Sequence, residues 1–243
     1  MPIYLGSNKI SLYRGSNEVS EAYLGSTLVY QNKLPYADGL VIHYDAINNT
    51  ASGHSSSARS WYDLTGNGNN ATVTLSGGDA WGDTALNIAH DSTQVRVPTN
   101  IYGTEYTLEF CFLLTSRPTY STLLRSVNSY NNGGSWVDSS GNVVFRVQSS
   151  YDTTSGGYVT TNTMHTVALT RTGNTLQVYI DGVLRATWTR SSSGTHTTFD
   201  IFASAEATGR HIVGSAYSFR KYARVLTAAE VLNNYNTDLA RFS

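Results

Sequence analysis

Apolar and polar residues alternate with a period of two along much of the chain, and this pattern predicts a protein built from β-strands. The clearest example lies near the C-terminal end, where Leu176, Val178 and Ile180 alternate with Gln177 and Tyr179. Alternation of this kind places one face of a strand in a core and the other face outside it. We therefore expect an all-β protein.

Turn-forming residues on either side of this strand predict an antiparallel meander. A Thr-Gly-Asn turn over residues 172–174 precedes the strand, and Asp181 and Gly182 follow it. An Asp-Gly pair suits the positive φ angles of a type I′ turn, whose twist matches that of the flanking strands. We expect residues 167–170 and 183–188 to pair with the central strand.

One helix is expected after the meander. Thr227 and Glu230 have the spacing of a capping box, in which each side chain accepts a hydrogen bond from the other residue's backbone N–H. Leu226 and Val231 can form a hydrophobic staple across the same turn. The helix should begin at about Ala228 and should be the only substantial helix in the chain.

The middle of the chain shows the same period of two. Val143 and Phe145 would face a core while Val144 and Arg146 face solvent, as in a half-buried strand. The one cysteine, Cys111, lies in the apolar stretch LEFCFLL, which predicts a buried strand. A single cysteine forms no internal disulfide.

Composition agrees with one large β-domain. The chain has 243 residues, of which 40% are hydrophobic and 14% charged, with 21 glycines for turns. A formal charge of −1 without a basic cluster argues against nucleic-acid binding. The N-terminal residues lack a charged segment followed by an apolar run, and no stretch reaches the roughly 18 apolar residues of a membrane helix. We expect a chain that is made in the cytoplasm and does not enter a membrane.

The C-terminal pattern resembles the laminin G-like branch of the concanavalin A-like domains. The matching positions are His165, Val167, Ala168, Val178, Tyr179, Asp181, Gly182, Arg220, Tyr222, Arg224, Leu226, Thr227, Glu230 and Tyr235. GLVIHYDAINNT and WYDLTGNGNNATV are similar to the first strand and a loop of that family. Met164 departs from the family, which usually has Trp there. The resemblance runs from about Gly39 to Phe242 and implies a two-sheet antiparallel jelly-roll sandwich with one short C-terminal helix.

Residues 1–34 form a separate region with three copies of a Tyr-x-Gly-Ser-x-x-(Ile or Val) repeat. The tyrosine and the last apolar residue of each copy are Tyr4 and Ile10, Tyr13 and Val19, and Tyr23 and Val29. A repeat this short is a strand and a turn, which cannot enclose a core alone. Two interpretations stay open: a sheet extension packed on its own domain, or a module for attachment and oligomerisation. We expect a small β-repeat module over residues 1–34 and a jelly roll over residues 35–243.

The same repeat resembles N-terminal segments of virion proteins of tailed bacteriophages. That resemblance implies a structural role as a head fibre, a capsid decoration protein or a tail-associated protein on the virion surface. Its partners would be other virion proteins and further copies of the chain, with a trimer as the expected oligomer. The alternative is a carbohydrate-binding lectin module of a bacterial surface or secreted, extracellular protein.

The acidic residues do not favour catalysis. Glycoside hydrolysis needs two carboxylates across the scissile bond, and the six glutamates do not form the Glu-x-Asp-x-x-Glu strand motif of hydrolase relatives. Glu105 and Glu109 are predicted to lie on a solvated strand edge. The six histidines have no metal-ligand spacing, and no nucleophile motif surrounds a serine. We expect a non-enzymatic protein.

A calcium site is a further hypothesis, because laminin G-like domains often hold one Ca²⁺ through loop oxygens. The candidate ligands are Asp63, Asn67, Asn69 and Asn70 in the stretch DLTGNGNN. Calcium prefers six to eight oxygen ligands, and this stretch has one carboxylate. The same residues also build ordinary turns, so both interpretations stay open.

Aromatic residues in polar loops are candidates for glycan binding, since sugars bind on aromatic platforms with nearby polar groups. The first group stands in a glycine- and asparagine-rich loop and comprises Tyr130, Asn131, Asn132, Trp136 and Asp138. The second group, Tyr151 and Tyr158, stands in a neighbouring hairpin-like connection. The alternative is that these rings cover the loop or pack at an oligomer interface.

Overall fold

The alternating segments pair into two antiparallel sheets that pack face to face, as the family resemblance implies. The computed structural model describes residues 35, 37–100, 102–127, 133–147, 150–190, 198–204 and 209–242, and the backbone of residues 13–14, 17–18, 21–24 and 27–31. Each of the two large sheets has eight strands. One α-helix follows the last strand.

The elements have the following bounds. The strands are β1 (Tyr13–Arg14), β2 (Asn17–Glu18), β3 (Glu21–Leu24), β4 (Thr27–Gln31), β5 (Leu40–Asp45), β6 (Ser60–Trp61), β7 (Ala71–Thr74), β8 (Ala80–Trp81), β9 (Leu86–Ile88), β10 (Gln94–Val97), β11 (Glu105–Ser116), β12 (Ser121–Ser126), β13 (Gly134–Val137), β14 (Val143–Val147), β15 (Ser150–Thr153), β16 (Met164–Thr172), β17 (Thr175–Ile180), β18 (Val183–Thr189), β19 (Phe199–Ile201) and β20 (Val213–Tyr222). Helix α1 spans Ala228–Phe242, and a 3-10 helix spans Ala46–Asn48.

We call the two large sheets A and B. Sheet A has the strand order β15-β14-β13-β12-β19-β10-β7-β6, and sheet B has the order β18-β17-β16-β11-β20-β9-β8, with β5 also paired to β20. Aromatic rings join the two sheets, since Trp61 of sheet A lies 5.7 Å from Tyr44 of sheet B between ring centroids; within sheet B, Phe110 lies 5.2 Å from Phe219. These four side chains are fully buried, so the core lies between the sheets.

The predicted meander is confirmed as β16, β17 and β18. The β17–β18 turn has φ angles of 54° at Asp181 and 75° at Gly182, both in the left-handed region that a type I′ turn requires. The carboxylate of Asp181 also accepts hydrogen bonds from the His165 ring, at 2.7 Å, and from the Thr166 backbone N–H, at 3.0 Å. The turn is thereby tied to the start of β16.

Helix α1 begins at Ala228, as the capping box predicts. The Thr227 backbone N–H donates to the Glu230 carboxylate at 2.7 Å, and the Glu230 N–H donates to the Thr227 hydroxyl at 3.3 Å. Leu226 and Val231 are buried in one small apolar cluster, as expected of a hydrophobic staple. In the described part of the chain, no helix is long and apolar enough to span a membrane.

A buried polar network fastens helix α1 to the outer face of sheet B. Arg220 of β20 donates to Glu109 of β11 at 2.8 Å and to Asp238 of the helix at 2.8 Å. Asn234 of the helix donates to Glu109 and to the Tyr222 hydroxyl, each at 2.9 Å. The prediction that Glu109 lies on a solvated edge is therefore wrong, because the helix covers it and Arg220 pairs with it. Glu105, at the start of the same strand, is exposed.

His43 makes the stability of this docked face dependent on pH. It lies opposite Arg220 in the pairing of β5 with β20. Burial removes its ring from water and Arg220 adds positive charge nearby, so the pKa of His43 falls from 6.5 to about 4. His43 therefore binds a proton below about pH 6.5 in the unfolded chain, but only below about pH 4 in the folded chain.

We expect the free energy of unfolding to fall by up to about 3 kcal/mol between pH 6.5 and pH 4 through this residue alone. The stabilisation is complete above pH 6.5 and is lost as the pH drops. Urea unfolding of the wild type and of His43→Gln at pH 7, 5.5 and 4 measures it. The variant should show the flatter dependence; equal slopes would contradict the assignment.

Two β-hairpins precede the sandwich. Strand β1 pairs with β2, and β3 pairs with β4, each in its own two-stranded sheet. The repeat tyrosines Tyr13 and Tyr23 lie in β1 and β3, and Val29 lies in β4. Tyr4, Ile10 and Val19 lie outside the described residues. The division at residue 34 and the role of the repeat stay predictions.

Candidate functional site

The outer face of sheet A carries a row of seven polar side chains and one glycine that crosses all eight strands. Residues opposite one another in a sheet share a face, and the register joins eight of them in one line. In spatial order the line is Tyr151, Arg146, Gly134, Arg125, Asp200, Arg96, Thr72 and Ser60. We call this line the arginine row. It brings together residues that are far apart in the sequence.

Three aromatic rings border one end of the row. Trp136 of β13 lies between two tyrosines, with its ring centroid 5.7 Å from Tyr120 and 5.9 Å from Tyr151, both edge to face. Two guanidinium groups lie over these tyrosines: Arg210 is 3.5 Å from the Tyr120 centroid and Arg146 is 4.9 Å from the Tyr151 centroid. One cationic side chain thus lies at each end of the three adjacent rings.

An open cleft lies beside Trp136. Its volume is about 310 Å³ with the mouth included. The lining residues are Thr122, Leu124, Arg125, Gly133, Gly134, Trp136, Arg146 and Arg210. Gly134 stands two residues before Trp136 on the same face, so the floor there is backbone without a side chain. A glycine inside a strand often marks a place where another molecule approaches closely.

Asp200 organises the middle of the row. This fully buried carboxylate accepts hydrogen bonds from Arg96 at 3.0 Å, from Gln94 at 3.2 Å and from the Ser204 hydroxyl at 2.6 Å. Arg125 in turn donates to the Ser204 oxygen at 2.8 Å. Asp200 therefore fixes Ser204, which holds Arg125 at the cleft.

The structure brings together two of the residues predicted to bind glycans, Trp136 and Tyr151. Trp136 lies in strand β13 and not in a loop, which corrects the sequence interpretation. Its indole ring is partly buried, whereas 51% of Tyr151 is exposed. Tyr130, Asn131 and Asn132 lie outside the described residues.

Two other candidates lie apart from this pair. Asp138 closes the β13–β14 turn: its carboxylate accepts from the backbone N–H groups of Ser140 and Asn142, each at 2.9 Å. Tyr158 follows β15 and stacks with Arg185 of sheet B at 4.1 Å. These contacts give both residues a structural role.

Strand β14 is buried on both faces, which corrects the prediction of a half-buried strand. Val143 and Phe145 face the core as expected. Val144 and Arg146 do face outward, yet each is only 6% exposed. Trp136 stands opposite Val144, and Tyr151 stands opposite Arg146, so the aromatic rings cover them.

The sequence interpretation missed the arginines of the cleft and Tyr120. Arg125, Arg146 and Arg210 are separated by 20 residues or more in the chain. Strand register places Arg125 and Arg146, and Arg210 approaches from the connection before β20. The strand order of a sheet with non-consecutive neighbours is not visible in a local pattern. The one available signal was an arginine within the strand pattern at position 146.

The proposed calcium loop does not fit a calcium ion. Asp63 is 1% exposed, and its carboxylate accepts hydrogen bonds from the His43 N–H at 3.1 Å, from the Thr65 N–H and hydroxyl at 3.1 and 2.7 Å, and from the Asn69 N–H at 3.2 Å. Donors that already point at the one local carboxylate leave no lone pairs for a cation.

The asparagines of this loop serve the same internal network. The Asn70 side-chain oxygen accepts from the Asp63 N–H at 2.8 Å, and the Asn67 amide donates to the Val41 carbonyl at 3.0 Å. Across the described ranges, no group of three or more His, Cys, Asp or Glu side chains is arranged to hold a metal. The loop is a hydrogen-bonded turn built around Asp63.

The two eight-stranded sheets, the order of their strands and the docked C-terminal helix define a concanavalin A-like jelly roll. A laminin G family model, described as the concanavalin A-like lectin/glucanases superfamily, matches residues 87–232, more than half of the chain. The chain belongs to this family. A search of the curated proteins found no match.

Solved structures share the fold at low sequence identity. Domain 4 of an extracellular arabinanase from Geobacillus stearothermophilus, in complex with arabinotriose, is 19% identical with a TM-score of 0.62 and covers 81% of this chain and 98% of that one. A Trypanosoma rangeli sialidase in complex with sialic acid is 15% identical with a TM-score of 0.64 and covers 89% and 35%. The binding domain of botulinum neurotoxin serotype D is 16% identical with a TM-score of 0.60 and covers 82% and 52%. The chain thus spans about a third of the sialidase and half of the toxin fragment.

Proposed function

We propose that the chain is a non-enzymatic, lectin-like module that binds glycans in the cleft on the outer face of sheet A. The observation that carries the proposal is Trp136, held edge to face between Tyr120 and Tyr151 at the border of an open cleft. A rigid aromatic cluster offers a large apolar surface at little entropic cost, and sugar rings have apolar faces that pack on such surfaces. Guanidinium and hydroxyl groups in the same lining can bind sugar hydroxyls.

The difference between the two outer faces supports this choice. Helix α1 covers part of sheet B through Arg220, Glu109 and Asp238, whereas the cleft beside Trp136 opens outward. The arabinanase domain of the same fold was solved with arabinotriose, which supports a carbohydrate as the ligand class. A binding role therefore fits this face better than the covered one.

The hydrogen bonds that Asp200 accepts in the arginine row support a role without catalysis. Of the eight row residues, only Asp200 carries a carboxylate, and Arg96, Gln94 and Ser204 all donate hydrogen bonds to it. Glycoside hydrolysis uses a pair of carboxylates, one of which must exchange a proton with the substrate. A buried carboxylate bound in this way serves positioning.

Replacing Trp136 with alanine tests the proposal. We expect Trp136→Ala to weaken binding on a glycan array and in titration calorimetry by about tenfold or more, because the central ring of the aromatic cluster is lost. Trp188→Ala is the matched control, since Trp188 is a partly buried strand tryptophan of β18 in sheet B. Equal binding by the wild type and Trp136→Ala, with both folded by thermal melting, would reject the site.

We further propose that this lectin-like domain, residues 35–243, is displayed on a bacteriophage virion through the repeat module of residues 1–34. The pairing of the repeat into hairpins that form their own small sheets supports an attachment role. The chain would then assemble with other virion proteins and with its own copies, the trimer being the expected form. Mass spectrometry of purified phage particles tests the display, and absence of the chain from them favours the bacterial lectin alternative.

A further inference from the structure

We infer that the glycan bound in the cleft carries a negative charge, as a carboxylate or a sulfate, and that Arg125, Arg146 and Arg210 recognise that charge. This inference rests on the proposed function, because it names the class of sugar for the same cleft. Three of the eight described lining residues are arginines, and none of the eight is acidic. Planar guanidinium groups match the two oxygens of a carboxylate or sulfate in a bidentate geometry.

Arg146 is the most informative of the three. It lies in the middle of strand β14 on the outer face and is only 6% exposed, yet it lines the cleft. Burial of a guanidinium group costs free energy, and the contact of Arg146 with the Tyr151 ring offsets part of that cost. A site that binds an anion gains from an arginine held there, because a charge-assisted hydrogen bond is stronger where water is excluded.

The arginines are also held in place before a ligand arrives. Arg146 lies over the Tyr151 ring, and Arg210 lies over the Tyr120 ring. Arg125 is held by Ser204, which Asp200 orients from beneath. Stacking against a ring fixes the plane of a guanidinium group and leaves its N–H edge directed sideways. Preorganised donors lower the entropy lost on binding.

The position of Trp136 limits the ligand to a sugar that carries the charge. Trp136 and the three arginines line one open cleft, in which a sugar ring can pack on the indole and face the guanidinium groups. A ring that packs against the indole can therefore present an acidic substituent to a guanidinium group of the same cleft. A polyphosphate chain has no ring that could pack on the Trp136 indole.

Matched pairs of glycans test the charge directly. The probes are 3′-sialyllactose with lactose, oligogalacturonate with its methyl ester, and a sulfated with a desulfated galactan fragment, on an array and by titration calorimetry with the full chain. We expect the charged member of at least one pair to bind about tenfold or more tightly than its neutral partner. The advantage should shrink between 50 and 500 mM NaCl, because salt screens the attraction.

Variants assign the charge recognition to these arginines. Arg146→Gln and Arg210→Gln should each reduce the preference for the charged member about tenfold, and Arg146→Lys should restore only part of it, since lysine lacks the planar fork. Arg185→Gln is the control, because Arg185 also lies over a tyrosine, at 4.1 Å from Tyr158, but in sheet B. Arg210 is less buried than Arg146, so its variant keeps the test valid if Arg146→Gln does not fold.

The outcomes separate this inference from the proposed function. Equal binding of charged and neutral partners, still lost in Trp136→Ala, overturns the inference and leaves the lectin function in place. Binding of no probe by the wild type overturns both. Equal affinity for single-stranded DNA of the same charge and for the charged glycan also overturns the inference, because charge alone would then suffice.

Discussion

Replacing Arg220 with methionine is expected to lower the free energy of unfolding by about 3–5 kcal/mol. Arg220 is 2% exposed and is the shared cation of two buried carboxylates, Glu109 and Asp238. Its loss leaves two like charges facing each other beneath helix α1, where water cannot solvate them. The helix should loosen from sheet B even though its own capping box is intact.

Urea unfolding followed by circular dichroism measures this loss. Arg224→Met is the matched control, because the Arg224–Glu230 pair is more exposed and should cost only about 1 kcal/mol or less. A triple variant that adds Glu109→Gln and Asp238→Asn removes the stranded charges and should recover part of the loss. A cost for Arg220→Met no larger than that of the control would contradict the role of the network.

Replacing Asp63 with alanine is expected to cost about 3 kcal/mol. The Asp63 carboxylate is the acceptor for donors from two segments: His43 of β5, and Thr65 and Asn69 of its own loop. Each buried donor left without an acceptor costs roughly 1–3 kcal/mol, and partial access of water to the loop lowers the sum. The first strand of the sandwich and this loop should separate in the variant.

Asp138→Ala is the control for this prediction, since Asp138 organises an exposed turn in the same manner and should cost only about 1 kcal/mol. Thermal melting of the two variants and the wild type measures both losses, and melting of the wild type also tests calcium. We expect equal melting temperatures of the wild type in CaCl₂ and in EDTA, because the Asp63 lone pairs already accept hydrogen bonds. A rise of several degrees with calcium would show that the loop rearranges around an ion.

Local patterns of the sequence predict the local parts of the fold. The type I′ turn at Asp181 and the capping box of Thr227 and Glu230 each depend on residues within four positions of one another, so their chemistry is visible in the sequence. The burial of Glu109 was not visible. Its partners, Arg220 and Asp238, stand more than 100 residues away, and only the pairing of β11 with β20 and the docked helix brings them together.

The candidate site also combines residues that the sequence can single out with residues that only the tertiary fold brings together. Trp136 could be singled out because aromatic residues are conspicuous among glycines and asparagines. Arg96, Arg125, Arg146 and Asp200 could not, since they come from four strands, and the row exists only because β19 inserts between β10 and β12. Local alternation identifies which residues of a strand face outward; it does not identify which strands lie side by side.

Gly134 leaves an open space between two arginines of the proposed glycan site. It stands in the row between Arg146 of β14 and Arg125 of β12. Two strand spacings of about 4.8 Å each therefore separate the backbones that carry the two guanidinium groups, with no side chain between them. A ligand group that rests on Gly134 lies within reach of both arginines. In the complex that we propose, the rigid spacing of hydrogen-bonded strands, and not an adjustable loop, would set the width of the sugar that binds.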